Sequence, residues 1–125
     1  MPDNPTLPTI IETPIRVRFT ETDMMGVAHH SNYLVYFEAG RVEWSRAVGA
    51  SYADLEAQGF SLAVAETTVR YAAPAVFDQV ILVRTWVEAV RSRGVQFAYE
   101  IVDQESRRLI ATGSTRLICV DRQGK

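Results

Sequence analysis

Asp23, Gly26, His29 and His30 fall within one short segment, Glu-Thr-Asp-Met-Met-Gly-Val-Ala-His-His-Ser-Asn-Tyr, that runs from Glu21 to Tyr33. This segment leads directly into the only long helical pattern of the chain. A carboxylate held beside a helix N-terminus can act on a polarised carbonyl, because the free backbone N–H groups there attract negative charge. That is acyl-group chemistry, and it needs neither a metal nor a bound redox cofactor.

Each of these residues also has a structural reading. An ionised Asp23 can attack an activated carbonyl carbon or take a proton from water. It can equally close an Asx turn within its own loop. His29 and His30 invite a metal or triad reading, but neighbouring side chains in an extended loop point in different directions, and no third ligand lies at a telling spacing. One histidine is expected to pack or hydrogen-bond and the other to face the cleft, His30 being the better candidate for contact with substrate or the attacking water. Glu38, five residues beyond Tyr33, is a solvated helix charge, a structural partner for Arg41 or Arg70, or a carboxylate that supports the site from behind. Ser31 and Ser45 sit in no Gly-x-Ser-x-Gly elbow. Met24, Met25, Tyr33, Tyr36 and Trp44 suit an acyl pocket, or else core and interface packing. Arg91, Arg93, Arg107 and Arg108 suit phosphates, or solvated turns.

The elements that must position these residues follow from hydrophobic period. Ile15, Val17 and Phe19 alternate with polar residues, which predicts a strand over 15–20. Gly26 suits a turn with unusual backbone angles. From about Asn32 to Val48, Tyr33, Phe37, Gly40, Trp44 and Ala47 form one helical stripe, broadened by Leu34 and Val42. Ser31 or Asn32 is expected to cap the helix and Gly49 to end it. Gly40 on the stripe implies close approach by another group, since it carries a helix penalty of roughly 1 kcal/mol relative to alanine. A short second helix is predicted over 51–58.

Strands fill the rest. Leu62 and Val64 have one parity and Val69 and Tyr71 the other, so a bulge or bend is expected near Glu66-Thr67-Thr68. Residues 71–79, with Pro74, read as a connection. Three further strands follow, carrying Ile81 to Ala89, Val95 to Ile101 and Leu109 to Val120, with Gly113 permitting a bend. One long helix and several antiparallel strands joined by short turns predict an α+β domain, its sheet wrapped around the helix and its edges in need of a partner.

The bulk properties agree. A chain of 125 residues, 47% apolar and 22% charged, suits one domain over 1–125, with a Pro-rich extended lead-in over 1–12. The net charge of −2 makes no electrostatic case for nucleic acid. Cys119 is the single cysteine, which excludes an internal disulfide and fits a reducing cytoplasm. No apolar run is long enough to span a bilayer, and the N-terminus lacks a secretory pattern.

The pattern Thr22-Asp23-x-x-Gly26-Val27-x-x-His30-x-Asn32-Tyr33, continued by Tyr36-Phe37-Glu38-Ala39 and Arg41-x-Glu43-Trp44, resembles the hotdog-fold acyl-CoA thioesterases. Tyr71-x-x-Pro74-Ala75 and Leu117-Ile118-Cys119-Val120-Asp121 extend the likeness over about residues 13–121. It is nearest to the 4-hydroxybenzoyl-CoA thioesterase family, including its Tol-Pal-associated branch. The resemblance implies a homodimer with joined sheets, often paired into a tetramer, and active sites at the dimer interface. It implies no cofactor, coenzyme A being part of the substrate. Asp23 takes the place of the catalytic aspartate, the His30 N–H that of the carbonyl-polarising donor, and Gly26 and Val27 that of the lining loop. Other hotdog branches use a helical glutamate as base, which makes Glu38 the reserve catalytic candidate, the structural reading being preferred. Phe19 stands where some relatives carry a tyrosine, so a phenolic helper is missing. Many relatives continue beyond this C-terminus, so contacts to the nucleotide or an extension of an edge strand that such a tail could supply are not expected from these residues.

Two kinds of function follow. The chain either hydrolyses an acyl-CoA thioester, or binds an acyl thioester without cleaving it. The motifs of the hotdog dehydratases are not visible.

Overall fold

The computed structural model describes residues 9–49 and 57–124. Five strands and one long helix make up the domain: β1 (Ile11–Arg16), α1 (Asn32–Ala47), β2 (Phe60–Tyr71), β3 (Val80–Arg91), β4 (Gly94–Asp103) and β5 (Leu109–Asp121). The strands form one sheet in the order β1-β3-β4-β5-β2, every neighbouring pair antiparallel. The expected α+β hotdog architecture is present. The helix prediction over 51–58 falls mostly on residues outside those described.

Alternation decides which sheet face meets the helix. On β4, Phe97, Tyr99 and Ile101 point inward and are buried; Ile81, Val83 and Thr85 do the same from β3. Phe37 from α1 stacks flat on Tyr99, with ring centroids 4.1 Å apart. Gly40 accounts for the close approach: a Cβ there would overlap Thr85 Oγ1 and Val83 Cγ1. Gly113 serves the same end rather than a bend, because a Cβ would collide with the Phe37 ring and the Thr68 carbonyl. The helix lies over β1 and β3 and touches β4 lightly, so β5 and β2 are left largely clear of it.

Two expectations change. β1 starts at Ile11, within the expected lead-in, and ends at Arg16; Phe19 instead opens a short 3-10 turn (Phe19–Glu21) and is exposed. Pro14 is tolerated because β1 is an edge strand. The helical stripe is shifted: Tyr36, Arg41 and Ser45 are buried, whereas Ala47 is exposed. The expected bulge in β2 is present, at the Val64/Glu66 register shift, and it returns both Leu62 and Val69 to the core. Gly49, at φ 81°, follows the end of α1 as expected.

Candidate active site

The loop between the 3-10 turn and α1 is held from two sides. Thr22 bridges Ala28, and the Asp23 N–H donates to the Val27 carbonyl at 2.9 Å, so residues 22–28 form a tight hairpin. Gly26, at φ 78°, closes its tip and donates to the Asp23 carbonyl. The returning strand then pairs outward: Val27 bridges Val76, and the Ala28 N–H donates to the Ala75 carbonyl at 2.7 Å.

Within this hairpin Asp23 makes the Asx turn. Its Oδ1 accepts the N–H of Met25 at 2.8 Å and of Val27 at 3.4 Å. The carboxylate is exposed, and its hydrogen bonds go to its own loop rather than to the first turn of α1. The carboxylate thus makes the Asx turn, the structural alternative weighed from the sequence, and makes no hydrogen bond to the helix among the described residues. Among the described residues Oδ2 accepts no hydrogen bond, so one oxygen builds the turn and the other is free.

Backbone donors from Ala28 onward decide what the site can do. Ala28 donates to Ala75 and His29 to the Glu21 carbonyl; Ser31 donates to His29 Nδ1, Asn32 to the His29 carbonyl, Tyr33 to the His30 carbonyl and Leu34 to the Ser31 carbonyl. Only the His30 N–H in this run has no acceptor among the described residues. Its peptide is fixed from the other end, since the His29 carbonyl accepts both the Asn32 N–H at 3.0 Å and Asn32 Nδ2 at 3.2 Å. In a trans peptide N–H and C=O point opposite ways, so the His30 N–H is directed away from the start of the helix. Neither Ser31 nor Asn32 caps α1 through its side chain. Asn32 Nδ2 instead ties two loop carbonyls together, those of Glu21 and His29.

A cavity of about 310 Å³ adjoins this peptide, lined by Ala28, His30, Tyr33 and Tyr71 with residues 72–74. Tyr33 is buried, and its hydroxyl accepts the Ala75 N–H at 3.2 Å. Its ring meets those of Tyr36 and Tyr71 edge-on. Tyr71 OH donates to the His30 carbonyl at 3.2 Å. The two histidines do not diverge: their rings lie 4.2 Å apart at a tilt of 31°, both exposed. His29 Nδ1 lies 2.9 Å from Ser31 Oγ and 3.3 Å from the Ser31 backbone nitrogen, so this ring is held by its own loop. Among the described residues no three metal-ligating side chains come together.

Beneath the loop lies a carboxylate that sequence reasoning missed. Glu21 is 6% exposed; its Oε1 accepts the Arg18 N–H at 2.9 Å and Tyr36 OH at 3.0 Å, and its Oε2 accepts Arg18 Nε at 3.0 Å. Burial pushes this carboxyl up, but the hydrogen bonds outweigh it and hold the group below the usual carboxylate range. Burial, with Glu21 as acceptor, pushes the Tyr36 phenol far above its ordinary value. The only sequence signal was a glutamate two residues before Asp23.

Residues 17–125 match the thioesterase-like superfamily. The chain belongs to that superfamily. The acyl-CoA thioester hydrolase YbgC of Escherichia coli O6:H1 is 31% identical over 113 residues, 90% of this chain and 84% of that protein. The crystal structure of a DHNA-CoA thioesterase from Staphylococcus aureus superposes with a TM-score of 0.86 at 38% identity, covering 90% of this chain and 75% of that one. The YbgC acyl-CoA thioesterase of Haemophilus influenzae is 28% identical over 86% of this chain and 79% of its own length. The chain is thus a thioesterase-family enzyme with a hotdog fold.

In this thioesterase the remaining candidates are dispersed. Glu38 is exposed on α1 and pairs with neither Arg41 nor Arg70 among the described residues. Met24 and Met25 stand fully exposed at the hairpin tip, away from any core. Phe19 packs edge-on against Phe77 with ring centroids 5.7 Å apart. Arg107 is bound to Glu12 at 2.7 Å, while Arg91, Arg93 and Arg108 are exposed.

Proposed function

We propose that the protein hydrolyses acyl-CoA thioesters, giving a carboxylic acid and free coenzyme A. The single observation that carries this reading is the unaccepted His30 N–H, held by Asn32 beside the cavity lined by Tyr33 and Tyr71. A thioester carbonyl oxygen hydrogen-bonded to this donor is polarised, and the donor strengthens its hold as negative charge develops. Asp23 supplies the second function. Its free Oδ2 either takes a proton from water as that water attacks the carbonyl carbon, or attacks directly to form a mixed anhydride that water then opens. In both routes the C–S bond breaks, and the thiolate of coenzyme A leaves without needing a strong acid. Gly26 and Val27 shape the loop that carries Asp23, and Glu38 stands in reserve.

The assembly is part of the same proposal. One edge of β2 is unpaired by any described strand over its 12 residues, and Phe60, Val64 and Tyr71 are exposed along it. Two copies joined edge to edge through β2 cover those residues and form one continuous sheet, with a pair of such dimers as the larger assembly. No helix among the described residues is long and apolar enough to cross a membrane.

The Asx turn favours a second reading, in which Asp23 only shapes a loop that binds acyl thioesters. Asp23→Asn separates the two, because asparagine keeps the Oδ1 acceptor and loses both basicity and nucleophilicity. Thiol release across an acyl-CoA panel is expected to fall at least 100-fold in this variant, with oligomer and melting temperature retained. Full activity in Asp23→Asn would reject Asp23 as the engine, and loss only in Glu38→Gln would move that role to the helix.

A further inference from the structure

Arg41 is 8% exposed, yet no carboxylate lies within ion-pair distance of it among the described residues. Its Nε has no hydrogen-bond partner, and its terminal nitrogen reaches only Tyr99 OH, at a long 3.5 Å. Thr115 Oγ1, buried nearby, has only the same Tyr99 hydroxyl beside it and makes no well-formed hydrogen bond. Both residues line one cavity of about 210 Å³, bounded by Leu34, Val35 and Val64. Glu38 and Thr67 complete it. The Arg41 guanidinium, its Nε unpaired, borders a largely apolar cavity with the Thr115 side chain beside it, so a ligand acceptor that reached this corner would meet two donor groups. A carboxylate answers both, since its two oxygens accept a guanidinium N–H and a hydroxyl together.

The position of this cavity indicates where the carboxylate comes from. It lies on the side of the sheet that α1 leaves open, and so does the cavity beside His30. Thr67 lines this cavity and Tyr71 the one beside His30, four residues apart on β2. That is about 13 Å along a strand, a length spanned by an extended chain of about ten carbons. Exposed Leu34 and Val35 offer methylene-sized contacts along the way.

We infer that this thioesterase selects acyl groups that end in a carboxylate, with Arg41 and Thr115 as the terminal-carboxylate site. The inference rests on the hydrolase reading above for the placement of the thioester end. Glu38 at the rim opposes an incoming anion, but it is exposed to solvent and screened, whereas Arg41 is not.

The test compares the mono-CoA thioester of decanedioic acid with decanoyl-CoA as a ratio of kcat/KM, which cancels differences in the amount of folded enzyme. The wild-type ratio is expected to exceed about 10, the worth of a charge-assisted hydrogen bond to a buried group. Arg41→Gln should bring it to about 1, and Arg41→Lys should keep part of it. A wild-type ratio near 1, or one unchanged in Arg41→Gln, overturns the inference. Dissociation of the oligomer by Arg41→Gln with the ratio unchanged also overturns it, by assigning the guanidinium to a subunit contact. Should Arg41→Gln not fold, Thr115→Val must lower the ratio for the inference to stand. Hydrolysis of neither thioester would reject the hydrolase reading alone. Free decanedioate then decides the site: it must raise the melting temperature of the wild type, and the rise must vanish in Arg41→Lys or Thr115→Val.

Discussion

Glu21→Gln keeps the shape of a buried side chain and removes its charge, so it measures what that carboxylate contributes to holding the loop. In the wild type, Oε1 accepts the Arg18 N–H and Tyr36 OH, and Oε2 accepts Arg18 Nε. Glutamine can still accept the first two through its carbonyl oxygen. Each then falls from a charge-assisted bond of about 1.5–3 kcal/mol to a neutral one of about 1 kcal/mol. The third becomes amide against guanidinium, donor against donor. It counts for little, because the Arg18 side chain is 72% exposed and its ion pair is screened. The expected loss is about 2 kcal/mol, or roughly 6–10 °C in melting temperature for a domain of this size. Urea denaturation at fixed protein concentration measures it, and a double-mutant cycle with Tyr36→Phe isolates the buried bond.

The pH dependence gives an independent check on the same variant. The folded carboxyl lies below its unfolded value of 4.5, so its contribution is full above that value and disappears as pH falls through the folded pKa. The stability gap between wild type and Glu21→Gln should therefore be largest at neutral pH and close on acidification below about 4.5. A gap independent of pH, or a coupling to Tyr36 near zero, would refute the claim that the charge holds the loop.

Asn32→Ala removes the side-chain bonds to the carbonyls of Glu21 and His29 and frees the peptide that bears the His30 N–H. It should lower kcat for thiol release by about 10- to 100-fold with little change in KM, a split that steady-state kinetics resolves. Gly40→Ala gains roughly 1 kcal/mol of helix propensity but forces a Cβ into Thr85 and Val83. Overpacking costs about 1–3 kcal/mol, so the melting temperature should fall, and a rise would show that β3 yields to the helix.

The helix, the long strands and the bulge were legible because each repeats over many residues: Phe97, Tyr99 and Ile101 alternate, and Tyr33, Phe37 and Gly40 recur at helical spacing. β1 was placed too late because Pro14 reads as a break when the edge position of the strand is unknown. The loop was legible as a motif but not as a geometry. Whether Asp23 faces α1 or its own backbone depends on contacts with residues 75–77, some fifty positions away, which no local pattern reports. Glu21 and Arg41 escaped for a related reason: a charge on an element reads as solvated until the burial of its neighbours is known. Tyr71 was visible as part of a family pattern, but its bond to the His30 carbonyl is a tertiary fact.

The double stitching of residues 22–28, to the 3-10 turn on one side and to residues 75–77 on the other, bears on what a ligand must do on arrival. A slack loop would have to be immobilised at each encounter, at a backbone entropy cost of about 1–2 kcal/mol per residue. Here the folding of the sheet has already met that cost. The orientation of the donor and of the aspartate is inherited from β-structure formed long before any thioester is present, and the free energy of association is left for distinguishing one acyl group from another.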